Sequence, residues 1–317
     1  MHPDAGPPCK RKIVRAHTIQ RGGGLSKIAR RGEVYYFQEG IGLYRDFGPK
    51  LIGFRDASTF TGFCELHDRT TFAPIEIREF NSEPEQVFLL AFRALRRELF
   101  LKRHAKQAHL DWSKLILRAA QPQELEDARR EVLNNEQRTD YELGQLTLDK
   151  DMHDAVFAKN EFPDLAYYVI ECETVPEFLC NAHVAPLGDF AGERIQTFAG
   201  FNNRWQTCSF SVITKDQGGA VVFSWFKSES PTIQRLVETL HSLPDSHLPD
   251  AIQRFGFEFS NNVCISPDWW ERIGADNQAR LNARAQSGCI RPRGVDALKN
   301  DGLKTARWKV ASRMMHW

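Results

Sequence analysis

Cys64, His67 and Asp68 fall within five residues, in the stretch "GFCELHD", whose surroundings are aromatic, small and apolar. A thiolate and an imidazole separated by two residues can reach one metal ion from a single turn, and zinc takes four such donors in a tetrahedron. The other reading of the pair is a buried cysteine beside a histidine that caps a helix. Cys9, in "CKRKIVRAHTIQR", precedes a short strand-like run that ends at His17 and offers a third ligand. The fourth is not apparent.

Together, "CKRKIVRAHTIQR" and "ASTFTGFCELHDRTTF" resemble the HNH endonuclease family, whose ββα-metal fold is built on a treble-clef zinc scaffold. On that resemblance Cys9 matches the last cysteine of a first knuckle, and Cys64 with His67 matches the second zinc pair. His17 in "AHTIQ" matches the catalytic histidine, and Asp68 stands where the family has a metal-binding histidine. Gln20 replaces the usual proline, and Thr59 or Ser58 occupies the place of the asparagine that orients the histidine. The stretch is also similar to a group of bacterial proteins carrying "AHT" and "ASTF-x-GFC-x2-HD", for which the resemblance implies no activity. It covers residues 9 to about 75.

The resemblance implies structural Zn²⁺, a catalytic Mg²⁺ or Mn²⁺ near Asp68, and nucleic acid as partner. Asp56 or Glu76 could add a second carboxylate. An imidazole with an ordinary pKa of about 6.5 suits proton abstraction from water at neutral pH. Arg15, Arg21 and Lys27 flank His17 and could clamp a phosphate backbone. Two function classes follow: a metal-dependent endonuclease acting on DNA or RNA, in defence against foreign nucleic acid, or a non-catalytic zinc module on a nucleic-acid- or ligand-binding protein.

The elements that must position these residues fall into an α+β pattern. Residues 1–80 hold short β-like pieces, "KIVRAHTI", "GEVYYF" and "KLIGF", broken by glycines into tight turns; so small a module calls for a zinc staple. Residues 81–160 read as a helical connector: Ser82 and Glu85 form a capping box, and Val87, Ala91, Leu95 and Leu99 recur on one face. Residues 161–290 read as an antiparallel-sheet domain with appended helices. Its strands are expected at "LAYYVIECE", "ERIQTFAGF", "WQTCSFSVIT" and "GGAVVFSWF", with a hairpin at Gly218-Gly219. Its helices are expected at "SPTIQRLVETLHSL", "LPDAIQRFGFEF" and "SPDWWERIGADNQARLNARAQ". Residues 291–317 read as a basic tail.

Net charge is +1 over 317 residues, which excludes a polyelectrolyte binder, although basic residues concentrate near both ends. No apolar run spans a membrane, and no apolar h-region marks a secretory signal. Seven scattered cysteines suit a reducing compartment, so the expected location is the cytoplasm. The C-terminal domain has room for a partner protein or a small ligand. His104 and His109 read as surface residues, Cys172 and Cys180 as buried thiols, and Trp269 with Trp270 as core.

Overall fold

The computed structural model describes residues 11–37, 47–119, 121, 123–198, 203–227, 231–287 and 293–317. β1 (Ile13–His17) is followed by a π-turn (Arg21–Leu25), α1 (Ser26–Ile28), β2 (Glu33–Tyr36) and β3 (Lys50–Gly53). β4 (Thr59–Cys64) leads directly into α2 (Glu65–Thr71) and α3 (Ala73–Glu76). Two long helices follow, α4 (Pro84–Ala119) and α5 (Leu125–Lys159), then β5 (Leu165–Cys172), β6 (Phe178–Val184), β7 (Cys208–Thr214) and β8 (Gly219–Phe226). The chain continues through α6 (Pro231–His241), α7 (Leu248–Phe259), β9 (Val263–Ile265), α8 (Pro267–Arg272), α9 (Ala275–Gln286) and β10 (Val310–His316).

Eight of these strands form one sheet in the order β10-β5-β8-β7-β6-β9-β2-β3, every pairing antiparallel. Both of its faces are covered. On β5, Ala166, Tyr168 and Ile170 pack toward α6, α7 and α8, while Leu165, Tyr167 and Val169 pack toward α4. Strands covered on both sides read as near-continuous apolar runs rather than alternating ones, which "LAYYVI" and "GAVVFSWF" do. The β7–β8 hairpin turns at Gly218, whose φ of 72° and close approach to the Cys172 carbonyl leave no room for a Cβ.

β1 and β4 form a separate two-stranded antiparallel ribbon on the α4 face of the sheet. Ala16, Phe60 and Phe63 turn inward from it onto Phe88, Phe92 and Phe72. Phe63 and Phe72 meet edge-on at 5.2 Å, and Phe60 meets Phe100 at 5.6 Å. Aromatic packing holds this ribbon, and the zinc staple expected for residues 1–80 is not shown among the described residues. β2 and β3 extend the large sheet through β9, so Tyr35 pairs with Ile265. The interior of a small module is thereby supplied by the rest of the chain.

The two connector helices and the three C-terminal helical segments lie where the sequence places them, with α8 and α9 separated at Gly274 (φ 80°). Three local expectations give way. Ser82 has a φ of 66° and does not cap α4; Gln86 reaches back instead, accepting from the Asn81 amide at 2.9 Å. "ERIQTFAGF" forms no strand among its described residues, only an isolated bridge between Gly188 and Arg194. Residues 293–317 are no loose tail: Trp308 is buried and β10 pairs with β5 across its whole length. Alternation of polar and apolar residues in "VASRMMH" fits an edge strand with one solvent face. No described helix is long and apolar enough to cross a membrane.

Because Trp308 is only 2% exposed within the larger core cluster, Trp308→Ala should cost about 3 kcal/mol or more in urea unfolding. A solvated tail would lose almost nothing.

Candidate functional site

His17 ends β1 opposite Thr59. Its neighbour Thr18 is buried and locks the strand end in place: the Thr18 amide donates to the Ser58 carbonyl at 2.9 Å, and the Thr18 and Ser58 hydroxyls bond each other. Ser58 adopts a φ of 57°, and its hydroxyl also accepts from the Ile19 amide at 3.2 Å, which holds that uncommon backbone in place. Asn262 then ties this corner to the sheet, donating to Thr18 Oγ1 at 2.7 Å and to the Asn181 carbonyl at 3.0 Å.

The half-buried His17 ring lies with Nε2 3.1 Å from the Arg55 carbonyl. A carbonyl only accepts, so Nε2 carries the proton and, in the neutral ring, the basic lone pair is on Nδ1. Neither Thr59 nor Ser58 takes the orienting place expected from sequence. Thr59 Oγ1 donates to the Asp56 carbonyl and accepts from Arg15, while Ser58 serves Thr18.

Cys64 pairs with Ile13 at the other end of the ribbon, on the same face as His17. Four residues of strand separate the two positions, about 13 Å. Cys64 Sγ is 3.3 Å from His67 Nδ1. Zinc–sulfur and zinc–nitrogen bonds at a tetrahedral angle set two donors about 3.5 Å apart, so this pair fits one edge of a zinc site. Cys9 lies outside the described residues, and among those described no group of three metal-type ligands gathers.

Asp68 follows on α2. Burial raises the pKa of its carboxyl, Arg93 opposes that and Glu76 adds to it, and Oδ1 has no hydrogen-bond partner. Arg93 in turn bonds Glu76 at 2.6 Å and stacks over Phe72 at 4.0 Å. The Arg93 guanidinium on α4 thus lies within the electrostatic reach of Asp68. Asp56 is committed to Arg15 at 2.8 Å on the exposed face. Arg15 sits two residues from His17 on that face. Lys27 is drawn away, to the Lys215 carbonyl. Arg21 lies in the π-turn, and its side chain is outside the described set.

A second cluster escaped the sequence reading. His183 on β6 and Asp149 on α5 are both buried, with Nε2 and Oδ2 3.0 Å apart, and His183 Nδ1 is 3.0 Å from Ser209 Oγ. Arg204 and Thr207 also reach Asp149. Burial works against ionisation of Asp149, but the hydrogen bond from His183 and the nearby cations outweigh it and hold its pKa down. Next to it His153 is buried among Phe88, Phe226 and His183, and burial depresses its pKa from 6.5 to about 3. Compared with protein-family models, curated proteins and solved structures, the chain finds no match.

Two outcomes follow. Cys64→Ser should lower zinc content measured by elemental analysis while the near-ultraviolet circular dichroism of the Phe60–Phe63–Phe72 cluster persists, since that cluster holds the ribbon through burial. His153 takes a proton near 6.5 in the unfolded chain and only near 3 in the folded one. Its contribution is therefore intact above about pH 6.5 and shrinks as the pH falls, by about 2 kcal/mol at about pH 5. His153→Gln should flatten that part of the pH dependence in urea unfolding.

Proposed function

We propose that the unit made of β1, β4 and α2 is an HNH-like endonuclease site, hydrolysing phosphodiester bonds of DNA or RNA, with foreign nucleic acid as its target. The observation that carries this reading is the His17 imidazole, tethered through Nε2 to the Arg55 carbonyl at the end of a strand and presented beside the exposed Arg15. Nδ1 accepts the proton of an attacking water, and Arg15 contacts a phosphate oxygen. Cys64 and His67, with Cys9, would hold a Zn²⁺ ion that ties the start of α2 to the ribbon. Asp68 would help hold a Mg²⁺ or Mn²⁺ ion, which when bound would supply charge neutralisation at the leaving oxygen. Buried thiols at Cys172, Cys180, Cys208 and Cys264 suit the reducing cytoplasm.

A second reading is a zinc-binding module without catalysis, supported by Cys64 Sγ and His67 Nδ1 standing 3.3 Å apart as one edge of a zinc site. The two readings part on one experiment. Plasmid nicking in the presence of Mg²⁺ or Mn²⁺ should fall at least about a hundredfold in His17→Ala, while gel-shift binding persists. Binding with no nicking by the unaltered protein would select the second reading. Arg15→Ala should weaken binding evenly across sequences and reduce the slope of log affinity against log salt by about 1.

A further inference from the structure

The α4–α5 hairpin outruns the core it grows from. The apolar side chains that α4 buries all lie within residues 87–99. Over residues 101–118, about 27 Å of helix, not one residue is buried. In the part of α5 that runs alongside, residues 125–140, only Val132 and Thr139 are. Two helices alone cannot cover each other's apolar surface, and here much of it stays in water.

That surface is ordered rather than scattered. Trp112 and Leu115 are each 53% exposed and Ile116 is 39% exposed. Leu101, Ala105, Ala108, Trp112 and Leu115 follow one another in steps of four, three, four and three residues. An apolar row with a mean step of 3.5 is a coiled-coil seam, and the surface it fits is another helix. The chain's own α5 lies to one side of it. Lys102 and Lys106 mark the side of α4 that faces α5, pairing with Glu142 and Asp140 at 2.5 Å. Trp112 stands about 100° around the helix from them.

The charges beside the seam indicate which helix fits. Asp111 and Arg118 occupy one flank, seven residues and so two turns apart. Opposite charges placed this way are complementary to their own copy running antiparallel: Trp112 lies over the second copy's Leu115, and each Asp111 meets the second copy's Arg118. A parallel pairing would set Asp111 beside Ile116 and form no such pair. The present partner of Asp111, Lys114 at 3.0 Å, is on the same helix, and both side chains are largely exposed, so that bond is easily shared. A nucleic acid would meet Asp111 on the flank and Glu126, Asp127 and Glu131 on the adjoining helix, which disfavours it.

We propose that this seam joins two copies of the chain, their hairpins packed antiparallel through α4 with the two sheets at opposite ends. The contact is remote from His17 and does not depend on the endonuclease reading.

Sedimentation equilibrium of the full chain tests it. At about 50 µM the unaltered protein should be a dimer, since a seam this short supports micromolar association. Trp112→Ser should weaken association at least about thirtyfold. The helical circular dichroism should persist in that variant, because the side chain is exposed. Asp111→Arg and Arg118→Asp should each weaken association about tenfold or more. An equimolar mixture of those two variants should recover it, because every contact across the mixed dimer then joins opposite charges. The proposal would be overturned by a monomer at that concentration, which would leave the seam to a helix of another protein. It would equally be overturned by a dimer indifferent to Trp112→Ser, or by charge variants that leave the dimer intact or stay apart when mixed.

Discussion

The side-chain amide of Asn262 governs how this molecule is put together. It is fully buried, so its two N–H donors and its oxygen must all be met inside the protein. They are met from separate parts of the chain: Thr18 beyond the end of β1, the Asn181 carbonyl on β6, and the hydroxyl of Tyr36 on β2 at 3.2 Å. Tyr36 accepts in turn from Arg97 on α4, also at 3.2 Å. One polar group thus fixes where the ribbon sits against the sheet. The ring of His17 inherits its position from that fixture, one residue away.

A second consequence of double-sided burial is the set of cations on α4. Arg93, Arg96 and Arg97 are each under 5% exposed although they carry charge. Each is answered by an aromatic face or a polar partner: Arg93 by Phe72 and Glu76, Arg96 by Phe92 and Asp154, Arg97 by Asn261 and Tyr36. Burial drags the pKa of Arg96 down to about 9. The long stems of these residues fill space between ribbon, helix and sheet, which is how a helix can present arginine to an interior.

Much of the architecture could be read from local pattern. β5 and β8 are near-continuous apolar runs, β7 alternates apolar residues with Ser209 and Ser211, and the hairpin glycines mark their own turn. β6 was hidden because "FLCNAHV" carries Asn181 and His183, polar residues that serve partners on α4, α5 and β7 rather than solvent. The spacing of Cys64 and His67 was legible, since adjacent turns dictate what such a pair can reach. The bond that orients His17 was not, because its partner is a backbone carbonyl and every residue has one. His183 and Asp149 lie 34 residues apart on different elements, and nothing local links them.

The place of β2 in the sheet bears on how the protein is made. Tyr36 meets Asn262, a residue 226 positions further along the chain. A ribosome must therefore extrude most of the polypeptide before the first strands of the sheet find the neighbour they lie against, and until then their edges stay open to other molecules. Contacts so distant in the chain make for slow folding, and the nascent protein is a natural client for chaperones during that interval.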